Sequence, residues 1–206
     1  MFARVLVLGL VLLAALPVPA PSRAEPPRPQ YGPFYSGQLL VARPAMGDPR
    51  FSETVIYLAD HDARGAFGLV VNRLVGRGPL KDFMAGLKMA PADDVTGDVA
   101  LYAGGPVERG AGFVLHTADY ETEGTAMRRG EFSVTASLKA IRDIARGEGP
   151  RRYRVLLGYA GWGPGQLENE LRRGDWDIAP ADEAILFDDE TASKWARARA
   201  AVGLPM

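Results

Sequence analysis

Gln38-Leu-Leu-Val-Ala42, Thr54-Val-Ile-Tyr-Leu-Ala59 and Phe67-Gly-Leu-Val-Val-Asn72 are three β-prone runs in succession, with turn signals and no helical periodicity between them. A regular βαβ series would place a helix at each step, so this stretch predicts an α+β fold built on a largely antiparallel sheet. Val55-Ile-Tyr-Leu58 is apolar at every position, which reads as a central strand covered on both faces. Outward from this block, further β-prone runs lie at Val99–Tyr102, Gly112–His116, Phe132–Ala136 and Tyr153–Tyr159, with another at Ala184–Phe187. Phe132, Val134 and Ala136 alternate with Ser133 and Thr135, and that pattern predicts one wet face.

About four helices flank the strands. Pro79 suits a first helical position, with Leu80, Phe83, Met84 and Leu87 at helical spacing behind it. Leu138, Ile141 and Ile144 mark a second apolar stripe, closed by Gly147 and Pro150. Leu167 and Leu171 mark a third, in which Glu168 stands four residues before Arg172 and is expected to pair with it. The last starts near Thr191, buries Trp195 and stops at Gly203-Leu204-Pro205.

The N-terminus reads as an export signal. Arg4 precedes an apolar run from Val5 to Leu16, Pro17 and Pro19 end it, and Ser22-Arg23-Ala24 supplies a small-residue cleavage site. The run falls short of the ~20 residues that span a bilayer, so cleavage after Ala24 is expected, with no membrane anchor left behind. Residues 25–36 form a Pro-rich leader read as flexible, and 37–206 form a single domain. Loss of residues 1–24 removes two arginines and no acids, leaving 22 basic against 25 acidic residues. This charge offers no footprint for nucleic acid, and Arg128-Arg129 and Arg151-Arg152 read as solvated pairs. The chain has no cysteine, which excludes disulfides, thiol nucleophiles and thiolate metal sites.

The distinctive segment is Gly158-Tyr-Ala-Gly-Trp-Gly-Pro-Gly-Gln-Leu-Glu168, which follows an apolar strand and opens a helix. Its glycines permit close backbone approach, and a helix start favours anions. The spacing matches neither the dinucleotide fingerprint nor the P-loop. The segment therefore reads first as a tight strand-to-helix turn with Trp162 as a lid. Candidate ligand-binding residues are Gly158, Gly161, Trp162, Gly163, Gly165, Gln166 and Glu168, with His61 or His116 nearby. Each histidine follows a β-run, where hydrogen bonding at a strand end explains it more simply than metal ligation. No Gly-x-Ser-x-Gly elbow occurs. The sequence thus names no catalytic residue, no metal ligand and no cofactor.

The order of motifs carries more than any one of them. Gly37-Gln-Leu-Leu-Val-Ala-Arg-Pro-Ala-Met-Gly-Asp-Pro-Arg-Phe51 is followed by Thr54-Val-Ile-Tyr-Leu58, His61 and Gly65-Ala-Phe-Gly-Leu-Val-Val-Asn72. Gly104-Gly-Pro-Val-Glu108, Gly112-Phe-Val-Leu-His-Thr117, the 158–168 segment and Trp195 complete the series. From about Phe34 to Gly203 this chain resembles the YqgE/AlgH family of bacterial proteins. The resemblance implies an α+β fold with a coiled, barrel-like sheet and no established catalytic activity. Many relatives carry Cys-Glu-His where this chain has Ala59-Asp60-His61, so a thiol-based role does not transfer. Relatives usually lack an export signal and look cytosolic, whereas this chain is expected in the periplasm or beyond. The reading that follows is a non-enzymatic binding or regulatory protein whose partner is a small molecule or a protein. The competing reading is a metal-free hydrolase or transferase using a histidine base.

Overall fold

The computed structural model describes residues 34–90 and 94–203. The expected export signal, most of the expected leader and the Arg128 and Arg129 side chains lie outside the described residues. Ten strands and five α-helices follow one another as β1 (Gln38–Ala42), β2 (Val55–Asp62), β3 (Gly65–Val70), β4 (Leu74–Pro79), α1 (Leu80–Gly86), β5 (Asp98–Ala103), β6 (Val107–Thr117), β7 (Thr125–Arg129), β8 (Phe132–Thr135), α2 (Leu138–Ala145), β9 (Tyr153–Trp162), α3 (Gln166–Arg173), β10 (Trp176–Pro180), α4 (Glu183–Phe187) and α5 (Thr191–Ala200).

The strands form one sheet in the order β10-β1-β2-β3-β9-β6-β8-β7, with β4 hydrogen-bonded to β5 and β5 to β9. Every pairing is antiparallel except β5 with β9. The fold is therefore α+β as expected. The sheet coils but stays open, because β10 and β7 end the strand path without pairing to each other. The coil carries Tyr57 of β2 against Phe132 of β8, ring centroids 6.1 Å apart.

Period-two alternation sorts the first three strands between two cores. Leu39, Val41, Val55, Tyr57, Leu69 and Val71 point into the larger one, under Ile185, Leu186 and Phe187 of α4 and Ala198 of α5. Leu40, Ala42, Ile56, Leu58 and Val70 face the opposite core with Trp162, Leu167 and Trp176. Burial on both faces is what the uninterrupted apolar runs predict. A third core lies beneath α1 and α2, where Leu80, Met84 and Ile141 meet Val99, Val114 and Val155.

Several expectations need correction. Ala184–Phe187 belongs to helix α4, not to a strand: the Asp182 carboxylate accepts from the Ile185 N–H at 2.8 Å and caps the turn. β8 has no wet face, since all four of its residues, Ser133 and Thr135 included, are buried. Glu168 does not meet Arg172, whose guanidinium instead donates to Asn169. β9 runs on to Trp162, so the turn itself is only Gly163-Pro164-Gly165. The end of α4 is fastened by two buried cations. Lys194 donates to Asp188 Oδ1 at 2.7 Å and to the Ile185 carbonyl. Arg154 donates to the Leu186 carbonyl at 2.8 Å and to the Asp188 carbonyl at 2.6 Å. Carbonyls at a helix C-terminus suit positive charge, which offsets the desolvation of both groups.

Candidate functional site

The site grows from the end of β9. Gly158 adopts φ +73°, and a Cβ there would stand 2.7 Å from the Gly105 carbonyl oxygen and 2.8 Å from that of Val107. It therefore serves the close approach of the β5–β6 connection at the irregularity between Val107 and Gly112. Gly165 takes φ +72° as the residue before α3. Gly163 is different. Its φ is not positive and a Cβ would meet nothing within 4 Å, so no steric demand of the fold explains it. Its N–H donates to Gln166 Oε1 at 3.1 Å.

Trp162 is buried, and its indole N–H donates to Glu170 Oε2 at 2.8 Å. The same oxygen accepts from the Trp176 indole at 2.9 Å, while Gln166 Nε2 donates to Glu170 Oε1 at 3.0 Å. One carboxylate thus fixes two indoles that pack edge to face, centroids 6.3 Å apart. Phe51 extends the row, 5.5 Å from Trp176. Phe51 ends a short 3-10 turn, Pro49–Phe51, whose preceding Asp48 accepts from the Arg50 N–H at 2.9 Å and grips its guanidinium at 2.6 Å.

These parts enclose a cleft of about 500 Å³, with Trp162 and Trp176 on one side, the Met46–Phe51 loop on another, and Gly161, Gln166 and Arg173 at the β9–α3 turn. Two of its carboxylates are paired, since Arg50 holds Asp48 and Arg173 holds Asp175 at 2.6 Å, while Glu170 is held by the two indoles and Gln166. An apolar floor with a few fixed polar groups is the build of a small-molecule site.

The two histidines lie elsewhere. His61 is buried in β2, where Nδ1 accepts from the Tyr35 N–H at 3.1 Å. The hydrogen therefore sits on Nε2, which faces Glu168 Oε1 at 3.3 Å. Phe34 and Tyr35 pack on the ring. Neither His61 nor Glu168 lines the cleft. His116 is fully buried in β6; Nδ1 donates to the Thr117 carbonyl at 2.8 Å and Nε2 accepts from Thr135 Oγ1 at 2.9 Å. Burial holds its pKa below the ordinary imidazole value, which keeps the ring neutral at pH 7.

Of the residues named from sequence, the structure brings Gly161, Trp162 and Gln166 to the cleft, with Gly163 and Gly165 in the turn that shapes it. It sets His61 with Glu168 on a packed side of α3, leaves Gly158 in the strand, and places His116 apart from all of them. Sequence reasoning missed Glu170, Trp176, Arg50 and Phe51. The Met46–Phe51 stretch stood among the motifs of the resemblance without a role. Ala59 is buried in the larger core.

An open, coiled α+β sheet with one aromatic-floored cleft at the β9–α3 turn defines the class. The sequence then matches the AlgH-like family model over residues 39–206, and the chain belongs to that family. It is 46% identical over 171 residues to a UPF0301 protein of Methylococcus capsulatus, covering 83% of this chain and 93% of that one. It is 44% identical to a UPF0301 protein of Rhodospirillum rubrum, covering 83% and 88%. The solution structure of AlgH from Pseudomonas aeruginosa matches with a TM-score of 0.69 at 38% identity, over 85% of this chain and 93% of that one. A crystal structure of a Corynebacterium diphtheriae protein shares the fold, with a TM-score of 0.62 at 22% identity.

Proposed function

We propose that this AlgH-like chain is a non-enzymatic binding or regulatory protein that takes a small molecule into the cleft between the β9–α3 turn and the 46–51 loop. One observation carries the reading: Glu170 accepts from both indoles and so fixes Trp162 and Trp176 as a rigid aromatic floor of the cleft. Preorganised aromatic surface gives binding energy at little entropic cost. The histidine-base reading is the weaker one, because both ring nitrogens of His116 are engaged inside the sheet and His61 does not line the cleft. A fragment library screened by saturation-transfer NMR tests the proposal. Gly47 lines the mouth with open space at its Cβ, so Gly47→Trp is expected to abolish the hits while preserving the melting temperature. Hits shared by both proteins would refute it.

The same reading places the mature protein, Glu25 to Met206, in the periplasm or beyond. Arg4, the apolar run and Ser22-Arg23-Ala24 support it. Mass spectrometry of the protein from its native host should find Glu25 at the N-terminus; an intact Met1 on a soluble product would contradict export. Among the described residues, no helix is long and apolar enough to cross a membrane.

A further inference from the structure

The aromatic cleft shares Arg50, Phe51 and Pro106 with an adjoining chamber of about 380 Å³. The two differ in charge. Asp48, Glu170 and Asp175 line the first against Arg50 and Arg173, an excess of one carboxylate. The second is lined by Arg50, Arg73 and Arg109 and by no carboxylate. Its remaining walls are largely apolar: Phe51, Val70, Val75 and Leu157. Gly105 lets the β5–β6 connection settle onto β9, since a Cβ there would come within 2.0 Å of the Tyr159 carbonyl carbon. The chamber wall is therefore backbone held at contact distance.

The three arginines are held to different degrees. Arg73 is fixed by Nη2, which donates to the Ser52 carbonyl at 2.8 Å and to Thr54 Oγ1 at 2.9 Å. Arg50 is fixed by Asp48 through Nε and Nη2, which cancels much of its charge. Arg109, exposed beside the β6 irregularity, has no carboxylate partner among the described residues. A guanidinium presents a planar fork that matches a carboxylate or phosphate, and beside apolar walls such a pair gains over its value in water.

We infer, building on the cleft-binding reading, that the ligand is an amphipathic anion. Its flat apolar body lies on the Phe51–Trp176–Trp162 row, and its phosphate or carboxylate head enters the arginine chamber to meet Arg109 and Arg73. The unequal charge sets the direction: the cleft, with three carboxylates against two guanidinium groups, does not favour an anion, and the chamber beyond Arg50 offers it an excess of cations.

Calorimetric titration of the purified protein with 1-naphthyl phosphate, 1-naphthoate and 1-naphthylmethanol tests this. The three share one ring system and differ in the head. At least one anion is expected to bind ten or more times as tightly as the alcohol. The tighter of the two identifies the head, and its affinity falls as salt rises. Arg109→Gln, at an exposed position, should erase the preference and leave the alcohol unchanged, while Gly47→Trp weakens all three. Equal affinity for the alcohol and both anions overturns the inference, as does a preference that survives Arg109→Gln. If Gly47→Trp still blocks binding in either case, the cleft stands and only its ligand class is wrong. Absence of binding by both anions at millimolar concentration also overturns the inference.

Discussion

Glu168 and Glu170 stand two residues apart on α3 and serve opposite sides of it. Glu168 turns to the buried His61, under Phe34 and Tyr35, where an acid and an imidazole meet outside the aromatic cleft. Glu170 turns to the indoles of Trp162 and Trp176 and fixes a surface that a ligand can reach. The histidine and carboxylate that the sequence offered as ligand-binding candidates pack against each other. Glycine, tryptophan and a carboxylate, which look structural, build the open side. A chemically suggestive residue type says little until its surroundings are known, because a buried polar group must find a partner whatever else it does.

The largest expected effect separates a glycine of the β9 strand from a glycine of the turn that opens α3. Gly158→Ala combines a left-handed backbone with overlap on two carbonyl oxygens, and should cost about 3 kcal/mol or more in urea denaturation. Gly163→Ala meets neither obstacle and should stay within about 0.5 kcal/mol. Equal losses would erase the distinction between a strand held by contact and a turn left open.

A smaller effect sharpens it further. Glu170→Ala leaves two indole N–H groups without their acceptor and should cost about 2 kcal/mol, with loss of ligand binding. His61→Gln removes the Glu168 and Tyr35 contacts and should cost about 1 kcal/mol with binding unchanged. Calorimetry on both variants decides the matter, and a binding defect in His61→Gln would move the site to the other side of the helix.

The sheet's centre was legible because β1, β2 and β3 are short apolar runs between turn signals, and burial on two faces leaves that signature. The same signature failed at Ala184–Phe187, since a short apolar run reads alike as strand or helix, and the deciding signal was the Asp182 cap. β4 went unread because Leu74-Val-Gly-Arg-Gly-Pro79 is mostly exposed and held by β5 alone. At the site, the glycine-rich turn was visible as a local motif. Its partners were not, because pairing of β1 with β10 brings them there. Ala42 lies opposite Trp176, which sets the 43–51 loop beside an indole more than a hundred residues away. The arginine chamber was equally invisible, as Arg50 and Arg73 come from two separate connections and Arg109 from the start of β6.

The three tryptophans allow a direct test of the central claim, that the open side of α3 is where a ligand binds. Trp162 and Trp176 floor the cleft, while the Trp195 indole donates to the Ala42 carbonyl at 2.8 Å and lies outside it. In ¹⁵N-resolved spectra, titration with a fragment that Gly47→Trp excludes should shift the Trp162 and Trp176 indole resonances and leave Trp195 in place. Shifts confined to Trp195, or to the His61 ring with both cleft indoles unmoved, would contradict the account.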